Sequence, residues 1–364
     1  MMRDIRISIT VIFTLLLAIG VIMIFSASSI YALRELGSST YFLRRHLFYL
    51  LLGAVAMGLS MMFDYRLLAK YAKPMLIVSL CSLVLVLVSG LGKEVYGARR
   101  WFQVFGFSFQ PSEFTKIVMI VYVADFLSRK RNKIKSLKEG FLPVMMVLGA
   151  VCLLILKQPD LGTAVLIGAV ACIMLFVAGA RIWHLGALVL MALPAMYFLI
   201  SRVAYRMRRI QAFLDPWKDQ QGAGFQLVQS QIALGSGGIL GVGLGQSVQK
   251  LYYLPAAHTD FILSIIREEF GLAGTLSVIT LFVLFIWQGA RIAKRCEDPF
   301  GYFLALGIVV MIALQSIINI GVSIGAFPTK GLPLPFVSYG GSALIVQMIC
   351  VGLLLNISRI QDLN

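Results

Sequence analysis

The chain is built from long apolar runs separated by short polar breaks. The first runs from Ile7 to Ala32, and nine more follow at about 46–63, 75–91, 112–127, 141–157, 161–180, 184–201, 271–290, 301–325 and 341–358. A helix needs about 20 mostly apolar residues to cross roughly 30 Å of hydrocarbon. The pattern therefore predicts an all-α, polytopic membrane protein with ten transmembrane helices. One long connection, 202–270, separates spans seven and eight, and no hydrophilic block is large enough for a second domain. Arg3 and Arg6 ahead of the first run, with Ser26-Ala-Ser28 near its end, imitate a signal peptide. The run is too long for that and further spans follow, so it reads as an uncleaved first helix.

Composition agrees. Of 364 residues, 59% are apolar and only 13% charged, against about 25% charged in soluble domains. The net charge of +16 fits membrane orientation and anionic headgroups, and no basic run interleaved with aromatics suggests nucleic acid. The five cysteines form no C-x-x-C pair, which supports neither a disulfide framework nor a zinc site. With the N-terminus inside, the cytoplasmic segments hold 16 basic residues and the short outer loops 8. Long translocated loops escape this rule. Both termini are thus expected in the cytoplasm, with loop 202–270 outside.

That loop is where a binding or catalytic segment is expected. Tyr205 to Leu214, with Arg206, Arg208 and Arg209, reads as a basic amphipathic helix on the membrane surface, ended by Asp215-Pro216. Phe225, Val228 and Ile232 share a helical face, with Gly235 as a C-cap. Gly235 to Gly245 lacks the lysine and spacing of a nucleotide loop. It reads as a backbone bend lying against the membrane or a ligand.

Charges within a bilayer are costly and so mark candidate function. Glu113 and Lys116 share a helix face near the start of the fourth span, as a structural ion pair or, in the preferred reading, a charged cavity wall. Asp160 opens the sixth span, where an N-cap role is open to it. Arg45, beside His46, is a cation in the same layer. Between Tyr252 and Leu263 lie His258, Thr259 and Asp260, just before a helix. Thr259 or Asp260 could cap that helix; alternatively Asp260 is a general base, its carboxylate favoured by the helix N-terminus. Lys330, Ser338 and Tyr339 are polar handles in the Pro/Gly-rich stretch Phe327 to Ser342. Gly321-Val-Ser-Ile-Gly325 reads as a helix-packing face.

These motifs resemble the SEDS family (shape, elongation, division and sporulation) over almost the whole chain. They are Gly97-Ala-Arg-Arg-Trp101, Phe107-Ser-Phe-Gln-Pro-Ser-Glu113, Gln158-Pro-Asp-Leu-Gly-Thr163, Gly241 to Lys250, His258-Thr-Asp-Phe261 and Pro335-Phe-Val-Ser-Tyr-Gly-Gly-Ser342. Ser247-Val-Gln-Lys250, Ala257-His258 and Pro328-Thr-Lys-Gly331 point to its cell-division branch. The resemblance implies a ten-helix peptidoglycan glycosyltransferase that polymerises lipid II outside the cytoplasmic membrane, at the septum. Its partners would be a class B penicillin-binding protein transpeptidase and other division proteins. The family's essential aspartate maps onto Asp260, and its charged cavity residues onto Glu113, Lys116, Asp160 and Arg45. His258, Thr259, Lys330 and Ser338 complete the candidate substrate-binding set. The chain departs from the family pattern at Ala256, where glutamate is usual, and at Arg267, before Glu268-Glu269.

The implied reaction is an inverting transfer, with Asp260 deprotonating the GlcNAc 4-hydroxyl of the acceptor. Lys116, Arg45, Lys330 or a divalent cation (Mg or Mn) would stabilise the leaving pyrophosphate. The same charges could instead line the passage of a lipid II flippase, and a scaffold that only recruits the transpeptidase is a third reading.

Overall fold

Every predicted span corresponds to a helix. The computed structural model describes residues 2–88, 92–95, 98–104, 107–251, 253–255 and 257–362; Gly97, Tyr252 and Ala256 lie outside the described residues. The spans are α1 (Met2–Leu36), α2 (Tyr41–Met62), α3 (Leu67–Leu85), α4 (Pro111–Lys130), α5 (Leu142–Lys157), α6 (Leu161–Val177), α7 (Ile182–Ser201), α10 (Ile262–Arg295), α11 (Pro299–Ser323) and α12 (Gly341–Gln361). Two further helices, α8 (Ala204–Leu214) and α9 (Phe225–Ser236), lie in the long connection. Among the described residues, seven helices are long and apolar enough to cross a membrane, and α6 and α7 add shorter apolar stretches.

Small residues let the helices approach closely. A side chain at Gly53 would strike Met348, and one at Gly352 would strike Ser60 and Met57, so α2 and α12 meet along their length, as expected where hydrophobic burial alone cannot drive association. Gly289 does the same for α10 on α11. The Gly321–Gly325 pair serves differently: Gly321 makes room for the Phe327 ring, and Gly325 lies past the end of α11 with φ 79°. That expected packing face is a turn.

The chain's two ends meet at one end of the bundle, where Arg6 pairs with Asp362 at 2.8 Å. Tyr65, ahead of α3, joins them through its N–H to Asn356. The loops carrying the candidate site residues lie at the opposite end.

Four further features differ from expectation. The third helix starts eight residues earlier than its apolar run, because Lys70, Lys73 and Pro74 belong to its first turns. Between α3 and α4, where a short outer loop is expected, β1 (Gly92–Val95), β2 (Ala98–Val104) and β3 (Phe107–Phe109) form an antiparallel sheet. Helix α9 runs past Gly235 and buries Leu227, Val228, Ser230 and Ala233, leaving Ile232 exposed. It is fastened through Ser230, whose Oγ lies 2.7 Å from Ser264 Oγ and donates to Ser323 O.

The glycine-rich segment bends against a neighbouring helix. Helix α10 breaks at Gly271, whose φ of 65° and ψ of −160° only glycine adopts readily. The backbone groups freed there are met by the glycine segment. Val242 and Gly243 N–H donate to Glu268 and Glu269 O, and Leu272 and Ala273 N–H donate to Gly238 and Ile239 O. Side chains at Gly237 or Gly241 would collide with this backbone. The glycines are there for close main-chain contact.

Candidate active site

Asp260 sits immediately before α10, but it does not cap it. Phe261 holds the cap position and no side chain closes the helix start. The main chain at Asp260 is fixed instead by Asn319 of α11, whose Nδ2 donates to Asp260 O at 2.9 Å and to Leu332 O at 2.8 Å. One side chain thus ties the 258–261 turn to the 327–340 segment. A second tie runs from Tyr339 N–H to His258 O.

The partly buried carboxyl of Asp260 is pushed up to about 6. Loss of hydration is the main cause and the neighbouring Asp160 carboxylate adds to it, while the Arg209 guanidinium acts against both. Gly331, with φ 65°, passes beside it, and a side chain there would come within 3.5 Å of Oδ2.

Asp160 realises the cap reading. Its Oδ1 accepts from Thr163 N–H at 3.1 Å and its Oδ2 from Thr163 Oγ1 at 2.9 Å. Gln110 reaches the same carboxylate at 3.4 Å. The turn ahead of it is held from the sheet, where Arg100 donates to Gln158 O and Pro159 O. The Lys330 main chain crosses the first turn of α6 at Gly162, where a side chain would meet Lys330 O at 3.0 Å. Asp160, Asp260, Lys330 and Arg209 therefore share one region. Burial pulls the Lys330 ammonium down.

Glu113 and Lys116 form a sealed ion pair, 2.6 Å apart with side chains 5% and 2% exposed. Beside Lys116 lies a void of about 10 Å³, enough for about one water. Lys116 donates to Gln315 Oε1, and Gln315 Nε2 donates to Pro333 O. The pair reaches the site indirectly, through the backbone that Asn319 also holds.

His258 packs in an aromatic group, with ring centroids 4.5 Å from Phe42 and 5.7 Å from Tyr339. Burial lowers it to about 4, so it is a neutral ring at neutral pH. Thr259 lies between His258 and Asp260 in the same turn. Arg45 donates to Tyr41 Oη at 2.8 Å, at the edge of this group. Ser338 is buried and accepts from Leu334 N–H, holding the turn from within. That turn is also pinned by Phe336, whose φ is 65° and whose ring stacks edge-on against Phe13 at 5.2 Å.

The segment leading to Asp260 is anchored by a second buried ion pair, Lys250–Glu269 at 2.8 Å, with side chains 4% and 0% exposed. Ser26 of α1 donates to Glu269 at 2.7 Å. Glu268 accepts from Val248 N–H and from Ser247 Oγ. Arg267 donates to Gly238 O, so this departure from the family pattern serves the glycine clasp. Sequence reading missed Asn319, Gln315, Arg209 and this network as neighbours of the site. Gln315 and Asn319 carried a usable signal, since polar residues four apart on an apolar span share one face.

A family profile described as cell cycle protein, FtsW/RodA/SpoVE, matches residues 6–363. The chain belongs to this family. It is 50% identical over 339 residues to the Probable peptidoglycan glycosyltransferase FtsW of Geobacter sulfurreducens, covering 93% of this chain and 91% of that one. It is 44% identical over 345 residues to stage V sporulation protein E of Bacillus subtilis, covering 95% and 94%. Among solved structures, it resembles a chain of a peptidoglycan synthase complex that coordinates polymerization and crosslinking, with TM-score 0.80, 29% identity and 98% of each chain covered. The rod shape determining protein RodA of Thermus thermophilus matches with TM-score 0.73 and 27% identity over 97% of this chain and 96% of that one. The chain thus has a polytopic helical membrane fold, of which the three-stranded sheet is a minor part.

Proposed function

We propose that this protein is a peptidoglycan glycosyltransferase that polymerises lipid II at the outer face of the cytoplasmic membrane during septal wall synthesis. The observation that carries the reading is the Asp260 carboxyl, raised to about 6 between Asp160 and Arg209 at the end of the bundle away from the termini. A general base works best with a pKa near the operating pH. Asp260 takes the proton of the acceptor GlcNAc 4-hydroxyl as that oxygen attacks C1 of the donor MurNAc. Undecaprenyl pyrophosphate leaves from the opposite face with inversion. One base suffices, because no covalent intermediate forms. Lys330 and Arg209 supply positive charge in this region, where an anionic leaving group is stabilised. The distribution of basic residues supports termini in the cytoplasm and Asp260 outside.

Among the described residues no three His, Cys, Asp or Glu side chains gather to hold a metal. A magnesium ion commonly uses one or two carboxylates plus substrate phosphates, and Asp160 would have to give up a Thr163 bond to serve as one of them. Such an ion would neutralise charge on the pyrophosphate. The partner is a class B transpeptidase, in keeping with the synthase complex that the chain resembles.

The test is purified protein with its transpeptidase on labelled lipid II. Glycan strands form with the wild type and not with Asp260→Ala. Strands that persist in a folded Asp260→Ala would remove the base. Flipping without any polymerisation by the wild type would favour a transporter, and neither activity would favour a scaffold.

A further inference from the structure

At the end of the bundle opposite Asp260, α3 and α4 leave an open cleft of about 380 Å³ lined by Ala69, Lys70, Lys73, Asp125 and Arg129. Asp125 is buried and occupied by Arg129 one turn later on the same helix. The ion pairs of the described residues use neither Lys70 nor Lys73, so the cleft carries a surplus of two positive charges. The face of α3 continues from these lysines at helical spacing through Ile77, Cys81 and Val84, all exposed. A cationic cleft at the head of an exposed apolar stripe matches the shape of one amphiphile.

We propose that this cleft binds the phosphodiester headgroup of an anionic phospholipid, phosphatidylglycerol in type, with an acyl chain along Ile77, Cys81 and Val84. The site is distinct from the proposed catalytic region and depends on that reading only for which leaflet it faces. Basic pockets between membrane helices on the cytoplasmic side suit such headgroups. A zwitterionic headgroup fits less well, because the one carboxylate that could receive its ammonium is already held by Arg129.

The full chain in detergent is titrated with dioleoylphosphatidylglycerol and bound lipid is counted by native mass spectrometry. Lys70→Gln with Lys73→Gln lowers the affinity on the order of 30-fold, the product of about 5-fold for each lysine near a membrane surface. Lys135→Gln with Lys138→Gln, which removes the same charge from the neighbouring loop, changes it less than about 2-fold, and phosphatidylethanolamine binds weakly throughout. Both lysines of the cleft are exposed, so the variants fold, and an unshifted melting temperature checks this. Equal binding by wild type and the Lys70/Lys73 variant overturns the proposal. Displacement of the lipid by millimolar glycerol 3-phosphate also overturns it, assigning the cleft to a free phosphate.

Discussion

Asp160 and Asp260 are the same residue type at the starts of two helices, close enough to feel each other's charge, and they are held in opposite ways. Asp160 spends both carboxylate oxygens on Thr163 and so closes the first turn of α6. Asp260 closes nothing: the main chain around it is fixed by Asn319, while its carboxyl stays beside Gly331 and shifts upward. A carboxylate engaged by two donors is a fastening. One with a fixed backbone and a raised pKa can exchange a proton near neutrality. The difference between them separates structure from chemistry within one small region.

The strongest way to break the comparison is at Asp260. Asp260→Asn lowers strand synthesis by about 10²–10⁴-fold, the range for loss of a general base. Its effect on stability has the opposite sign. A carboxyl whose folded pKa is raised from 3.8 to about 6 is disfavoured in its charged form by folding. The wild type loses stability as pH rises through that window. Asp260→Asn therefore melts at a higher temperature than wild type at pH 7.5 and at the same temperature near pH 3.5.

Next in size is the anchor behind the loop. Glu269→Ala leaves Lys250 charged and buried, which costs about 3–5 kcal/mol, seen as a lower melting temperature together with lost activity. The pair Lys250→Met with Glu269→Leu recovers most of the stability, since replacing both members of a buried pair is often close to neutral. A double variant as unstable as the single one would mean that Ser26 and the backbone contacts, rather than the charge pair, set the cost.

Asp160→Ala costs about 1 kcal/mol as a lost helix cap, and Asp160→Asn costs less because asparagine also caps. The smallest effect is at Arg209. Arg209→Gln removes the charge that lowers Asp260, so the acid limb of the activity profile moves to higher pH.

The spans were legible because an apolar run of that length matches the thickness of a bilayer and exceeds what a soluble core helix buries. The outer layer of candidate residues was legible only where a charge stood in an apolar context, as at Lys116 and Asp160. Pattern alone left Asp260 as either a cap or a base, and the motif around it favoured the base. What escaped were pairings across the chain. Nothing local in Lys250 says that it meets Glu269 and Ser26, or in Gly237 and Gly241 that they face the break at Gly271. The sheet at 92–109 escaped for a related reason, since its order comes from anchors outside it, Arg100 on the 158–159 turn and Ser108 on Ser342. Glu113 and Lys116 were legible as neighbours on one helix face, while their burial as an ion pair was not.

The central claim is that Asp260 exchanges the proton and that Asp160 only biases it. The most direct measurement is the pH dependence of strand synthesis by wild type and Asp160→Asn side by side. The wild type loses activity on the acid side through about pH 6, and Asp160→Asn, lacking the neighbouring negative charge, keeps its activity to lower pH. An acid limb that stays at the same pH in both proteins would contradict the account.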